Sequence, residues 1–146
     1  MPEPARDDPY RNFNFMVEID QLTVAGFSEV DLPAGRIEAV AYREGTDLNS
    51  AARLLPGRVS YGPLVLRRGI SGNTELFEWW RSVAEGNPDR RNVSVVLLDE
   101  RRNAVARWNL QDAWPTKYEP PSFDALGNDV AIETLELAHE GIELAT

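Results

Sequence analysis

Val105-Ala106-Arg107-Trp108-Asn109-Leu110-Gln111-Asp112-Ala113-Trp114-Pro115-Thr116-Lys117-Tyr118 is the stretch on which the fold turns. It holds two of the chain's four tryptophans and its only lysine, and no recognisable catalytic group stands beside them. Trp108 and Leu110 alternate with Arg107 and Asn109, the period of a strand with one packed face and one wet face. Proline carries no ladder N–H, so Pro115 ends or bends that run. The block reads as architecture rather than chemistry.

Outward from it, Val93 to Leu98 is apolar on both faces, which marks a central strand. Asp99 to Asn103 supplies a polar turn, and Ala104 to Leu110 returns as the hairpin partner. Upstream, Phe13, Phe15, Val17 and Ile19 alternate with Asn14, Met16, Glu18 and Asp20, giving a half-buried first strand. Leu22, Val24 and Phe27 continue in a second extended piece broken by Gly26, and Ile37 to Tyr42 reads as another strand. In Leu64 to Ile70, Leu64, Leu66 and Arg68 share one face while Val65, Arg67 and Gly69 take the other.

One helix is predicted over about residues 73–85. Asn73 or Thr74 is placed to cap it, and Glu75 suits the positive end of its dipole. Leu76, Phe77, Trp80, Val83 and Ala84 make an apolar stripe at helical spacing, and Gly86 with Pro88 stops the run. Of the adjacent Trp79 and Trp80, one facing the core and one at the rim is the commoner arrangement than a ligand platform. Between Arg43 and Gly62 the sequence turns polar and irregular, with Gly45, Asn49, Pro56, Gly57 and room for a helical turn at Ala51 to Leu55. A connection of that length in so small a domain is either a binding surface or a loose surface loop. The closing segment, Val130 to Leu144 after a Gly127-Asn128 turn, lies between two periods. Ala131, Leu135, Ala138 and Ile142 line one helix face, whereas Glu133, Leu135 and Leu137 give a poorer strand alternation, so periodicity leans to helix.

With 146 residues, 42% hydrophobic and 27% charged, the chain has the size of one domain, enough to bury about 68–70% of its unfolded surface. Residues 1–9, rich in Pro and Asp, read as a flexible arm. No apolar run approaches the ~18 residues that span a bilayer, and the start, Met1-Pro2-Glu3-Pro4, does not read as a secretory signal peptide. Zero cysteines exclude disulfides and thiolate metal sites, which fits a reducing compartment. A formal charge of −9 argues against non-specific nucleic-acid binding, since neutralising phosphates takes a basic surface. The arginine doublets Arg67-Arg68, Arg90-Arg91 and Arg101-Arg102 suit carboxylates at an interface or a plain solvated surface.

Catalytic constellations are missing. Glu136-Leu137-Ala138-His139 has the Glu-x-x-His spacing of di-iron bundles, but such a site needs a second copy of the motif, and His139 is the only histidine. The bland reading is a solvated acidic edge formed by Glu133, Glu136, Glu140 and Glu143. No Gly-x-Ser-x-Gly elbow and no phosphate-cradling glycine loop occurs, and no pair among the 24 acids is singled out for glycoside cleavage. The expectation is no enzyme, no cofactor and no metal.

Several collinear runs carry a family resemblance. They are Asp8-Pro9-Tyr10-Arg11-Asn12-Phe13-Asn14-Phe15, Val24-Ala25-Gly26-Phe27-Ser28-Glu29-Val30, Tyr42-Arg43-Glu44-Gly45, Leu55-Pro56-Gly57 and Arg68-Gly69-Ile70. Arg91 to Asp99, the tryptophan block and Val130 to Gly141 complete them. Across nearly its whole length the chain resembles the inner tube proteins of contractile tails: the tail tube family of T4-like phages and the similar tube subunits of extracellular contractile injection systems.

That resemblance implies a mainly β fold over a single tail-tube domain, 1–146. The fold is a small antiparallel β-barrel with one flanking α-helix, similar to the haemolysin-coregulated protein of type VI secretion. It makes the closing segment a strand, against the helical lean, and turns about residues 42–62 into a long inter-subunit loop or hairpin. The implied inter-subunit contacts are Tyr42, Arg43, Glu44, Gly45, Pro56, Gly57 and Tyr61. The implied product is a hexameric ring, with strands pairing across subunits around the lumen, stacked into a hollow tube that a contracting sheath drives through a target envelope. Its partners are further copies of itself, the sheath protein, the baseplate and spike, tube-terminating proteins and cargo in the lumen, with neither a specific nucleic-acid sequence nor a membrane anchor. Assembly is expected in the bacterial cytoplasm, with the particle extracellular after release. A phage tail tube conducting DNA is the alternative within the family; a baseplate adaptor and a stand-alone barrel binding a small ligand are the alternatives outside the tube reading.

Overall fold

The computed structural model describes residues 14–20, 26–46 and 52–145. In chain order these form β1 (Phe15–Ile19), β2 (Phe27–Asp31), β3 (Gly35–Tyr42), β4 (Arg53–Tyr61), β5 (Leu64–Gly69), α1 (Glu75–Ala84), β6 (Arg91–Leu98), β7 (Ala104–Glu119), β8 (Ile132–Ala138) and β9 (Ile142–Ala145). Every pairing among them is antiparallel. The main sheet runs β1-β6-β7-β8-β5-β2 with β9 also on β7, and β3-β4 forms a separate two-stranded sheet. The proposed arm at 1–9, Phe13, the Leu22 and Val24 piece and Ala51 lie outside the described residues.

The quoted block is the 16-residue strand β7. Its first half pairs with β6, down to Arg91↔Ala113, and its second half pairs with β8 from Trp114↔Ala138. Asp112 sits between the halves at φ 51°, and the register slips at Arg91/Val93 and again at Pro115/Lys117. A left-handed residue and two bulges increase local twist, so one strand turns the sheet across the core. Pro115 therefore bends the run without ending it.

The closing segment is extended, as the resemblance implied and against the helical period. β8 and β9 lie in line along β7, interrupted at Gly141 (φ 151°), where Gln111 N donates to Gly141 O at 3.3 Å and Glu140 N to Gln111 O at 2.9 Å. Alternate residues of β8, Glu133, Leu135 and Leu137, face inward. Glu133 is thus removed from the acidic edge read from the sequence. It is 3% exposed and pairs with Arg68, also 3% exposed, its register neighbour on β5.

The sheet does not close into the expected barrel. Its path ends on β1 and β2, two five-residue strands that share no main-chain pairing. Phe15 of β1, Val30 of β2 and Leu32, with Leu97 of β6 and Trp108 of β7, instead line a cleft of about 550 Å³. The core packs Val17 and Ile19 of β1, Leu64 and Leu66 of β5, Val93 and Val95 of β6, Leu110 of β7 and Leu135 and Leu137 of β8 beneath α1.

The helix differs from its predicted stripe in one respect. Leu76 and Trp79 are its buried residues, Trp80 and Val83 pack only partly against the core, and Ala84 is exposed. Trp79 can go deep because its Nε1–H donates to Asp89 O at 2.8 Å and the Arg91 guanidinium lies 5.1 Å over its ring. Asp89 holds Arg91 through two bonds, 3.0 and 2.8 Å, and this contact keeps its carboxyl below the usual range. At the start, Asn73 Oδ1 accepts from Glu75 N at 2.8 Å, whereas Thr74 makes no side-chain cap. Gly86, at φ 99°, ends the helix with its N–H on Val83 O at 3.0 Å.

Candidate assembly interface

Arg43 to Gly62, read as polar and irregular, is the tip and returning half of an arm. β3 and β4 pair with each other and with no other described strand, and every residue of both is exposed. The helical turn expected at Ala51 to Leu55 is replaced by strand from Arg53 onward. Cross-strand pairing overrides a weak local propensity there, because Leu54 and Leu55 register against Ala41 and Val40.

The register sorts the arm's side chains into two unlike faces. Gly35↔Tyr61, Ile37↔Val59, Ala39↔Pro56 and Ala41↔Leu54 put eight residues without a charge on one face. Arg36, Glu38, Val40, Tyr42, Arg53, Leu55 and Ser60 form the other. A slip between Ile37 and Ala39 keeps the apolar set together past the bulge. Gly57 makes the slip fit: a Cβ there would stand 2.6 Å from Val40 Cγ2 and 3.1 Å from Glu38 O. Ile37 is 60% exposed and Leu54 71%. A two-stranded ribbon alone in water is marginal at best, and this one exposes a face without a charge along its length.

The arm's base is tied down. Gly62 N donates to Ala34 O at 3.0 Å, and the ring of Tyr61 packs on His139 with centroids 5.7 Å apart. Gly141 N–H donates to His139 Nδ1 at 3.2 Å, which leaves Nε2 to carry the proton and donate to Gly62 O at 2.9 Å. His139 thus clamps the arm to the β8–β9 corner. No group of three or more metal-ligating side chains occurs among the described residues.

All seven residues implied as inter-subunit contacts fall on this arm, though not at one spot. Tyr42 ends β3 and donates to Glu44 Oε1 at 3.1 Å, with Arg43 and Gly45 beside it toward the tip. Pro56 and Gly57 lie at mid-length, and Tyr61 is at the base. Sequence reasoning missed Ile37, Ala41, Leu54 and Val59, the apolar face itself. Their signal was only half legible: Ile37, Ala39 and Ala41 keep period two, but the bulge puts Pro56 and Val59, three residues apart, on the same face.

Toward the far end of β5, Arg68 and Glu133 form a closed polar network. Arg68 Nε donates to Glu133 Oε1, Arg68 Nη2 to Asn73 O at 2.8 Å, and Tyr118 Oη to Glu133 Oε2 at 2.6 Å. Burial, then the bond to Glu133, pushes the Tyr118 hydroxyl up to about 12. The doublet Arg67-Arg68 is strand alternation at work. Arg67 points outward to Asp31 at 2.9 Å and Glu29 at 3.3 Å while Arg68 points in.

The model of the T4-like virus tail tube protein gp19 family matches residues 11–143. This chain belongs to that family. It is a structural tube subunit. No curated protein matches it in sequence. A chain in the 6-fold symmetrised cryo-EM structure of the anti-feeding prophage (AFP) baseplate is 26% identical with a TM-score of 0.84, over 96% of this chain and 97% of that one. A chain in the cryo-EM sheath–tube complex of PVC, an extracellular contractile injection system in the extended state, is 25% identical with a TM-score of 0.85, over 95% and 93%. Hcp1 from Flavobacterium johnsoniae, at 19% identity, shares the fold with a TM-score of 0.60 over 90% and 94%. No described helix here is long and apolar enough to cross a membrane.

Proposed function

We propose that this chain is the inner-tube subunit of a contractile injection particle. Copies assemble into six-membered rings, the rings stack into a hollow tube, and sheath contraction drives the tube through a target envelope so that cargo leaves by the lumen. The observation that carries this is the β3–β4 arm, which pairs with no other described strand of its own chain and exposes a face without a charge. Covering that face with a neighbouring copy removes its cost in water, and the exposed sheet edges offer further pairing around a ring. Membership of the tail tube family and likeness to chains of AFP and PVC particles support the rest. On this reading Tyr42, Arg43, Glu44, Gly45, Pro56, Gly57 and Tyr61 contact neighbouring subunits. The sheath, the baseplate with its spike, and a terminating protein are partners, and the chain needs no enzymatic activity. Assembly takes place in the bacterial cytoplasm, and the net charge of −9 keeps nucleic acid and acidic cargo from adhering.

Because the matching family model is that of a virus, a DNA-conducting phage tail tube is the second reading. Capsid and terminase genes beside the coding sequence decide for the phage. The tube itself is tested by electron microscopy of the purified chain. Wild type gives rings and tubes, and Leu54→Asp with Val59→Asp gives monomers of unchanged circular dichroism. Each substitution forfeits about 1.5–3 kcal/mol of apolar burial per contact. Normal tubes from the double variant would mean that the arm is not the assembly surface.

A further inference from the structure

His139 is the chain's only histidine, and it sits where the body meets the arm. Three contacts hold its ring. Gly141 N–H donates to Nδ1 at 3.2 Å, Nε2–H donates to Gly62 O at 2.9 Å, and the Tyr61 ring packs against it, tilted by 53°. Tyr61 ends β4, and Gly62 N donates back to Ala34 O at 3.0 Å, just before β3 begins. The imidazole therefore grips the point at which the two strands of the arm leave the body.

This grip uses both ring nitrogens in a single protonation state. A neutral imidazole offers one N–H and one acceptor; here the donor meets a carbonyl and the acceptor meets an amide. A proton added at Nδ1 turns the acceptor into a second donor, aimed at the Gly141 N–H, and that bond is lost. Turning the ring to relieve the opposition carries Nε2 away from Gly62 O. The corner itself is already committed. Gly141 O accepts from Gln111 N at 3.3 Å and Glu140 N donates to Gln111 O at 2.9 Å, with Gly141 held at φ 151° between β8 and β9.

Charged groups on the surrounding elements do not compensate for the added charge. Beside the ring in sequence, Glu140 is engaged by Arg90 at 2.8 Å, and Glu143 registers with Asn109 on β9. Glu136 of β8 is bridged by Lys117 at 3.4 Å, and Asp31 at the end of β2 is held by Arg67 at 2.9 Å. β7 brings Asp112 to the corner, and the arm base brings Arg36 and the phenol of Tyr61. Among the described residues no carboxylate bonds to either ring nitrogen. A protonated ring thus loses an acceptor and gains no partner.

We infer that His139 is a pH-operated latch: neutral, it fixes the arm to the body, and protonated, it frees the base of the arm, so that tubes hold at neutral pH and loosen in acid. This rests on the tube reading above. Histidines change charge between about pH 5 and 8, so the latch closes as pH rises through that range and opens as pH falls. The test follows the ring and the backbone amides by nitrogen-15 NMR across that range in the Leu54→Asp, Val59→Asp chain, where a single histidine gives one unambiguous ring. Electron microscopy of wild-type tubes runs beside it. At the alkaline end the proton sits on Nε2, and on acidification the Gly141 and Gly62 amide signals move in step with the ring. Wild-type tubes then need about 2–10-fold more protein to persist at the acid end, the net worth of one hydrogen bond per subunit. His139→Gln keeps an N–H for Gly62 O without titrating, and its tubes lose that dependence.

The latch is overturned, with the tube reading left standing, by a proton on Nδ1 at the alkaline end, by a ring that stays neutral throughout, or by one that titrates while Gly141 and Gly62 stay still. Tubes of His139→Gln that fail in acid alongside wild type overturn it as well. If the glutamine variant makes no tubes, the NMR titration decides alone. Absence of wild-type tubes at every pH would remove the tube reading instead, and the titration would still decide the latch.

Discussion

Removing the Glu133 carboxylate strands a buried guanidinium. In Glu133→Ala the Arg68 side chain, 3% exposed, keeps only the carbonyl of Asn73, and the Tyr118 hydroxyl loses its acceptor. An unpaired buried charge of this kind costs about 3–5 kcal/mol. At roughly 2–4 °C per kcal/mol for a domain near this size, the melting temperature falls by about 6–20 °C. The measurement is thermal unfolding by circular dichroism at one fixed concentration, in the background of Leu54→Asp with Val59→Asp, because assembly would stabilise the fold by mass action. The same physics makes a counter-prediction. Arg68→Met, Glu133→Leu and Tyr118→Phe together remove every charge and the hydroxyl at similar volume, and this triple variant melts within about 1–2 kcal/mol of the parent or above it. A cost below about 1 kcal/mol for Glu133→Ala, or a triple variant as unstable as the single one, would show that an unpaired charge is not what the network prevents.

Two further outcomes concern the Tyr118 hydroxyl and the bulge at Gly57. Tyr118 titrates at about 12 when folded against an ordinary 10.0, so the folded chain holds that proton more tightly than the unfolded one. The stability this adds is complete below pH 10 and is lost as pH climbs toward 12; urea titrations across that range show a steeper loss for wild type than for Tyr118→Phe, and parallel curves would contradict it. Gly57→Val places a Cβ 2.6 Å from Val40 Cγ2, an overpacking of about 1–3 kcal/mol confined to an arm that no other described strand buttresses. It abolishes tubes in micrographs while leaving the melting temperature of the body unchanged, and normal tubes would count against the bulge.

Strand alternation made much of the body legible in the sequence. Phe15, Val17 and Ile19, then Leu64, Leu66 and Arg68, then Val93 and Val95 point where period two puts them. The helix stop at Gly86 was legible because a left-handed cap has a residue signature. Where the local period leaned to helix, in the closing segment, strand pairing overruled it. Leu135 and Leu137 fit a strand only because β5 and β7 flank them with open hydrogen-bonding edges, and Trp79 outranks Trp80 only because Asp89 and Arg91 wait beneath it.

Alternation marked several of the strands and composition showed no recognisable catalytic machinery, while the collinear runs pointed to the tail tube family and through it to a mainly β fold. Tertiary structure alone decided that the sheet stays open, that β7 bends at Asp112, and that Arg68 meets Glu133 across 65 residues. It also decided that the base of the β3–β4 arm is held by His139 at the β8–β9 corner. These are facts of register and of long-range pairing, fixed when distant segments satisfy one another's hydrogen bonds and bury one another's side chains, and no local window contains both partners.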